Sequence, residues 1–281
     1  MTKALLQTSS RIGSDFARLQ QLLRERWLTV DEFDGEERHI LVVPSLSLDQ
    51  EELQKIEGVH YYEERLLCSL IRLRNPNTHL VYVTSHPVHP SIVDYYLELL
   101  PGIPSSHARS RLKLFSAYDA SRKPLTQKLL ERPRLLAKIR RAMNTEKGYM
   151  TCFNTTHLER ELSLALDLPL LALDPDLLHW GTKSGSREIF HRCGIPHPIG
   201  SELVFTEYDL AAVIADVWEQ DPQLQRLVVK LNQGFSGEGN ALLDLRTLYS
   251  LAPGQASTQD RIRGILLALN RLSFQCPTET W

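Results

Sequence analysis

The stretch that decides the reading of this chain runs from Val228 to Leu243, "VVKLNQGFSGEGNALL". Lys230 sits inside a short apolar run, Gly234, Gly237 and Gly239 follow, and apolar residues resume at Ala241, so the segment reads as strand, glycine loop, strand. Glycine lets backbone N–H groups approach a ligand closely, and a lysine beside such a loop brings a cation to anionic oxygen. A Walker loop needs its lysine directly after the last glycine at a helix start, which Lys230, preceding the first glycine, does not provide. A dinucleotide fingerprint needs GxGxxG between a strand and a helix, whereas here the spacing is reversed and the following segment is β-rich. Two readings remain. One is a flexible hairpin folding over a triphosphate, with Lys230 as the cation and Ser236 and Asn240 as further hydrogen-bonding groups. The other is a glycine hairpin carrying a solvated lysine.

Outward from this loop, "TEYDLAAVIADVWEQDP" predicts an amphipathic helix before the first strand, and "TQDRIRGILLALNRL" predicts another after the second. "TKSGSREIFHRCGIPHP" predicts a short helix from Gly185 to Cys193, stopped by Gly194 and followed by a turn through Pro196 and Pro198. Residues 173–281 therefore read as an α+β unit around an antiparallel sheet. Farther upstream the texture is different. "HILVVPSLSL" and "HLVYVTS" are apolar, β-branched runs, each followed by a helical pattern, and "GYMTCFN" adds a further strand. That alternation predicts a parallel sheet wrapped by helices, so residues 1–172 read as one α/β unit of Rossmann-like character. A helix is expected from about Arg11 to Leu28 with Ser14 and Asp15 in its opening turn, and another is expected to break near Pro133.

Bulk properties narrow the function classes. The 281 residues carry 32 Lys+Arg against 34 Asp+Glu, a formal net charge of −2, and 42% hydrophobic residues. Near-neutrality removes the electrostatic ground for general nucleic-acid or membrane affinity. The absence of a signal h-region at the N-terminus and of a bilayer-length apolar run leads to the expectation of a cytoplasmic protein. Cys68, Cys152, Cys193 and Cys276 are widely separated and form no CxxC pair, which predicts four reduced thiols.

Lys183 ahead of the short helix, the "GIPHP" turn, and then Lys230 with its glycine flap resemble, in their order and separation, the ATP-grasp superfamily. The resemblance implies that Lys183 and Lys230 are the two cations on the phosphates of ATP. It places Gly234, Phe235, Ser236, Gly237, Gly239 and Asn240 at or beside the flap that closes over them. Residues 1–172 would then be the pre-ATP-grasp domain and residues 173–281 a partial ATP-grasp domain, its nucleotide lid. The branch to which the whole is most similar is that of carboxylate–amine ligases, including peptide ligases of the pheganomycin type. Such enzymes use ATP and Mg2+ to form an acyl phosphate, which an amine then attacks, so the implied partners are a carboxylate substrate and an amine substrate, small molecules or peptides. Family members place their magnesium ligands after the flap. No Glu-x-Asn pair follows Asn240 here, so the metal ligands are expected outside this chain. The chain is accordingly expected to be the N-terminal portion of a longer ligase, inactive alone, with catalytic residues unassigned. The competing expectation is a non-catalytic nucleotide-binding or interaction module.

Other features receive plainer readings. His86-Pro-Val-His89-Pro is read as a strand-to-helix loop rather than a metal pair, because no carboxylate lies in the next four residues. Between His107 and Arg141 basic residues dominate, with Asp119 and Glu131 as the acids, and the tract reads as a solvated helix face. No nucleic-acid partner, no membrane and no metal ligand within this chain are expected, and homo-oligomerisation stays open.

Overall fold

The computed structural model describes residues 3–28, 35–47, 57–233 and 237–276, with side chains of the first helix from Gly13 to Arg26. The chain divides into two compact units, Met1–Pro175 and Asp176–Trp281.

The first unit has a four-stranded parallel sheet in the order β3-β2-β1-β4, formed by β1 (Arg38–Val43), β2 (Thr78–Thr84), β3 (Leu112–Ser116) and β4 (Gly148–Cys152). Strand side chains alternate between faces, and here both faces are covered. Leu41, Val43, Val81, Val83 and Met150 pack on one side with Phe16, Leu129 and Leu162, from helices α1 (Lys3–Leu28), α4 (Leu125–Leu130) and α6 (His157–Leu166). Ile40, Val42, Leu80 and Tyr82 pack on the other with Leu67, Leu70, Leu73 and Val93, the last from α2 (Pro90–Glu98). Burial on both faces explains why these strands read as unbroken apolar runs. Between β2 and β3 lie α2 and α3 (Ser105–Ser110), and α5 (Pro133–Arg141) follows α4 across the expected proline break.

Three local expectations shift. The first helix begins well before Arg11, so Ser14 and Asp15 lie in its interior. Residues 48–56 are outside the described part, and the segment after them, Val59–Arg74, is wound as a 3-10 helix. Its buried leucines 67, 70 and 73 recur every third residue, the period of that helix, where side chains eclipse at i and i+3. The basic tract is not wholly a solvated face. Lys128 is 1% exposed and donates to Ser85 Oγ at 2.8 Å and to the Asp119 carbonyl at 3.0 Å, while Ser85 Oγ donates to Glu63 at 2.6 Å. Burial lowers the basicity of Lys128 and raises the pKa of Glu63, and the two opposite charges offset part of each other's desolvation.

The second unit contains α7 (Leu178–Gly181), α8 (Lys183–Arg192), α9 (Glu207–Gln220), the antiparallel pair β5 (Arg226–Lys230) and β6 (Asn240–Asp244), and α10 (Thr258–Leu269). Its core joins Ile214 and Trp218 of α9 to Val229, Leu243, Ile262 and Ile265. Arg261 is buried there at 1% exposure, donating to the Leu251 carbonyl at 2.8 Å and pairing with Glu219.

No described helix is long and apolar enough to cross a membrane.

Candidate functional site

The site is built from the start of α8 and the end of β5. Thr182 is the N-cap of α8, its hydroxyl accepting from the Gly185 N–H at 3.1 Å and donating to the His179 carbonyl at 2.6 Å. The helix therefore starts at Lys183, two residues earlier than the sequence pattern suggested, and Lys183 stands in its first turn rather than ahead of it. At the other end, Gly194 at φ 63° sends its N–H to the His191 carbonyl, and the Ile195 N–H reaches the Phe190 carbonyl at 2.8 Å. That pair of bonds is a Schellman stop, which needs a residue at ease with positive φ. The following turn lies back on the helix, with Arg187 donating to the Pro198 carbonyl at 2.9 Å.

Lys183 reaches the strand. Its Nζ donates to the Leu231 carbonyl at 2.7 Å, its N–H to the Asn232 carbonyl at 3.3 Å, and the neighbouring Ser184 N–H donates to Asn232 Oδ1 at 3.0 Å. Asn232 thus fastens the first turn of α8 to the end of β5. Sequence reasoning passed over Ser184 and Asn232, and the signal for Asn232 was its place two residues after the strand lysine. Lys183 is less basic than an ordinary lysine, first because it is partly desolvated and second because the Lys230 charge is close. The two lysines are therefore electrostatic neighbours, and both line a cleft of about 820 Å³. The walls of this cleft are mainly apolar away from the lysines, with Leu210, Val213, Ile214 and Val217 of α9 and Leu227 and Val229 of β5. An apolar hollow with cations at one end suits a ligand with a flat apolar body and a polyanionic tail.

Of the expected flap, Gly234, Phe235 and Ser236 lie outside the described residues. Gly237 has φ 88°, a conformation open to glycine, and its carbonyl accepts from the Asn240 N–H at 3.0 Å to close the turn. The Gly239 carbonyl accepts from the Leu231 N–H at 2.8 Å, and Asn240 stands opposite Lys230 in the strand pair, which puts both side chains on one face. Asn240 Oδ1 is buried with no hydrogen-bond partner among the described residues.

Residues 176–263 match the protein family described as IQCH-like, ATP-grasp. The chain is 30% identical over 202 residues to the L-propargylglycine–L-glutamate ligase of Streptantibioticus cattleyicolor, covering 68% of this chain and 42% of that protein. These two matches relate the chain, through residues 176–263, to the ATP-grasp superfamily. It is also 24% identical over 268 residues to IQ motif-containing protein H of Danio rerio, covering 89% of this chain and 25% of that protein. The chain spans less than half the length of either relative. The ATP-grasp match falls on the second unit and contains both cleft lysines, while the 89% coverage extends the likeness into the first unit.

The histidines of the 86–89 loop do other work. His89 caps α2, accepting from the Ser91 N–H, and the His86 ring lies 5.0 Å from that of His60.

Proposed function

We propose that this chain binds the triphosphate of ATP between Lys183 and Lys230 and supplies the nucleotide-holding part of a carboxylate–amine ligase. The observation that carries this reading is the approach of two lysines from separate elements to one cleft, close enough that the Lys230 charge, after partial desolvation, lowers the basicity of Lys183. Like charges so placed are relieved by a polyanion, and neutralising the transferring phosphoryl group is the chief task of such a site. The apolar wall of α9 and β5 would take the base, and Gly237, Gly239 and Asn240 would stand beside the phosphates. The relationship to a ligase whose name states propargylglycine and glutamate as the joined acids supports a carboxylate–amine reaction class.

Mg2+, when bound, would supply positive charge that helps neutralise the phosphates. The donor set around Lys183 and Lys230 is cationic and fits phosphate rather than a resident dication, so no magnesium ligand is assigned within this chain. On this reading residues 1–172 are a Rossmann-like pre-ATP-grasp domain and residues 173–281 part of an ATP-grasp domain. Carboxylate and amine are small molecules or peptides.

A second reading, a non-catalytic nucleotide-binding module, is favoured by the match to an IQCH-like family and to a protein whose name specifies no reaction. Calorimetric titration with ATP, with and without Mg2+, tests the shared claim: saturable binding is expected, weakened at least tenfold by Lys230→Ala. Equal affinity in parent and variant would remove Lys230 from the site. Release of ADP in the presence of amino-acid mixtures separates the ligase reading from the module reading.

A further inference from the structure

At the amino-terminal edge of the parallel sheet, opposite to where such sheets usually bind substrates, three side chains converge that are far apart in sequence. His39 and His79 occupy the second positions of β1 and β2 and are register partners, so the pairing places them side by side on one face. Their rings lie 4.8 Å apart and 9° from parallel. Glu37, just before β1, aims one carboxylate oxygen at both: Oε1 is 3.2 Å from His39 Nε2 and 3.6 Å from His79 Nε2. All three candidate donor atoms lie within 4.8 Å of one another. His39 is buried and its Nδ1 has no hydrogen-bond partner among the described residues, which leaves Nε2 as the nitrogen presented to Glu37.

We propose that Glu37, His39 and His79 form a binding site for a first-row divalent cation, zinc in the first instance, that clamps the entry ends of β1 and β2. Two imidazoles and one carboxylate are a zinc-type donor set, and the measured nitrogen–oxygen spacings are close to the roughly 3.3 Å edge of a tetrahedron with bonds of about 2.0 Å. Near-parallel rings do not both aim their in-plane lone pairs at one ion. Binding therefore turns the partly exposed His79 ring about its terminal torsion, which is broad for histidine, while buried His39 stays in place. Exposed Glu37 gives the ion its entry path, and water completes the coordination. Lys147, 3.5 Å from Glu37 Oε2, is displaced from its ion pair, and Arg111 and Lys113 act on His79 by charge. These cations oppose a dication and weaken its binding.

The test is titration of the full chain with Co2+ and with Zn2+, read by visible absorption for cobalt and by calorimetry for zinc. One equivalent with an intense four- or five-coordinate cobalt spectrum is expected, together with a rise in melting temperature. His79→Ala, at a half-exposed position, should abolish the spectrum, and Glu37→Gln should weaken binding at least tenfold, each with unchanged far-ultraviolet circular dichroism. His86→Ala/His89→Ala should leave binding intact. Absence of saturable binding, survival of the cobalt spectrum in His79→Ala, or its loss in the His86/His89 variant would overturn the proposal.

Discussion

The Lys183 ammonium donates a 2.7 Å hydrogen bond to the carbonyl of Leu231, the residue next to Lys230 in the chain. One cation is thereby anchored on the strand that carries the other. The two lysines are unequal: Lys183 is tethered and partly desolvated, while Lys230 is exposed.

That inequality gives separable mutant effects. Lys183→Met should lower both nucleotide affinity and stability, the latter by about 1 kcal/mol for the lost hydrogen bond. Lys230→Ala should lower affinity while leaving the melting temperature of the ligand-free protein unchanged or slightly raised, because a like charge beside Lys183 is removed. Thermal melts with and without ATP read both quantities, and equal destabilisation by the two substitutions would contradict this division.

Gly185 is expected to reject any side chain. A Cβ there would lie 2.0 Å from the His179 carbonyl oxygen, a backbone atom at the junction of α7 and α8. Gly185→Ala should cost about 2 kcal/mol, the order for forcing atoms into packed structure, and should loosen the helix that holds Lys183. Urea unfolding of parent and variant checks it, and matching midpoints would show that the junction yields.

Acid should weaken the first unit through Asp119. Its carboxylate accepts from the Ser121 N–H at 2.9 Å and pairs with Arg132 at 2.7 Å, and the Ser121 contact first, then Arg132 and Lys128, holds it well below the usual carboxylate range. A depressed folded-state pKa means stability present above the unfolded value of about 4 and lost as pH falls through that window toward the folded value. Denaturation midpoints at pH 7 and pH 3 should fall less for Asp119→Asn than for the parent. An identical acid loss in both would assign the effect to other groups.

Thiol chemistry should sort the cysteines. Burial pushes the Cys152 thiol up to about 12, whereas Cys68 and Cys193 are exposed. Reaction with a disulfide reagent at pH 8, followed by peptide mapping, should label Cys68 and Cys193 in the native protein and Cys152 after unfolding. Native labelling of Cys152 at a comparable rate would show that the end of β4 opens readily.

Much of this architecture follows from short-range rules that a sequence carries openly. The apolar runs of β1 and β2 mark strands covered on both sides, Pro133 separates two helices, Gly194 stops α8, and Lys230 with its glycines marks a strand and turn. Each depends on residues within a turn or two of one another, and period or backbone freedom suffices to read it. The start of α8 was misplaced because the Thr182 cap fixes it, and the winding of residues 59–74 was missed because a leucine every third residue also fits one face of an α-helix.

What the sequence determined alone was the presence of two lysines and a glycine turn in the order of an ATP-grasp lid. Tertiary structure decided that Lys183 meets the end of β5 through Leu231 and Asn232, that Lys128 is buried beside Ser85, and that His39 and His79 share Glu37. Those meetings depend on which strands become neighbours and in what register. Register is set by burial summed over whole sheet faces rather than by the few residues that come together.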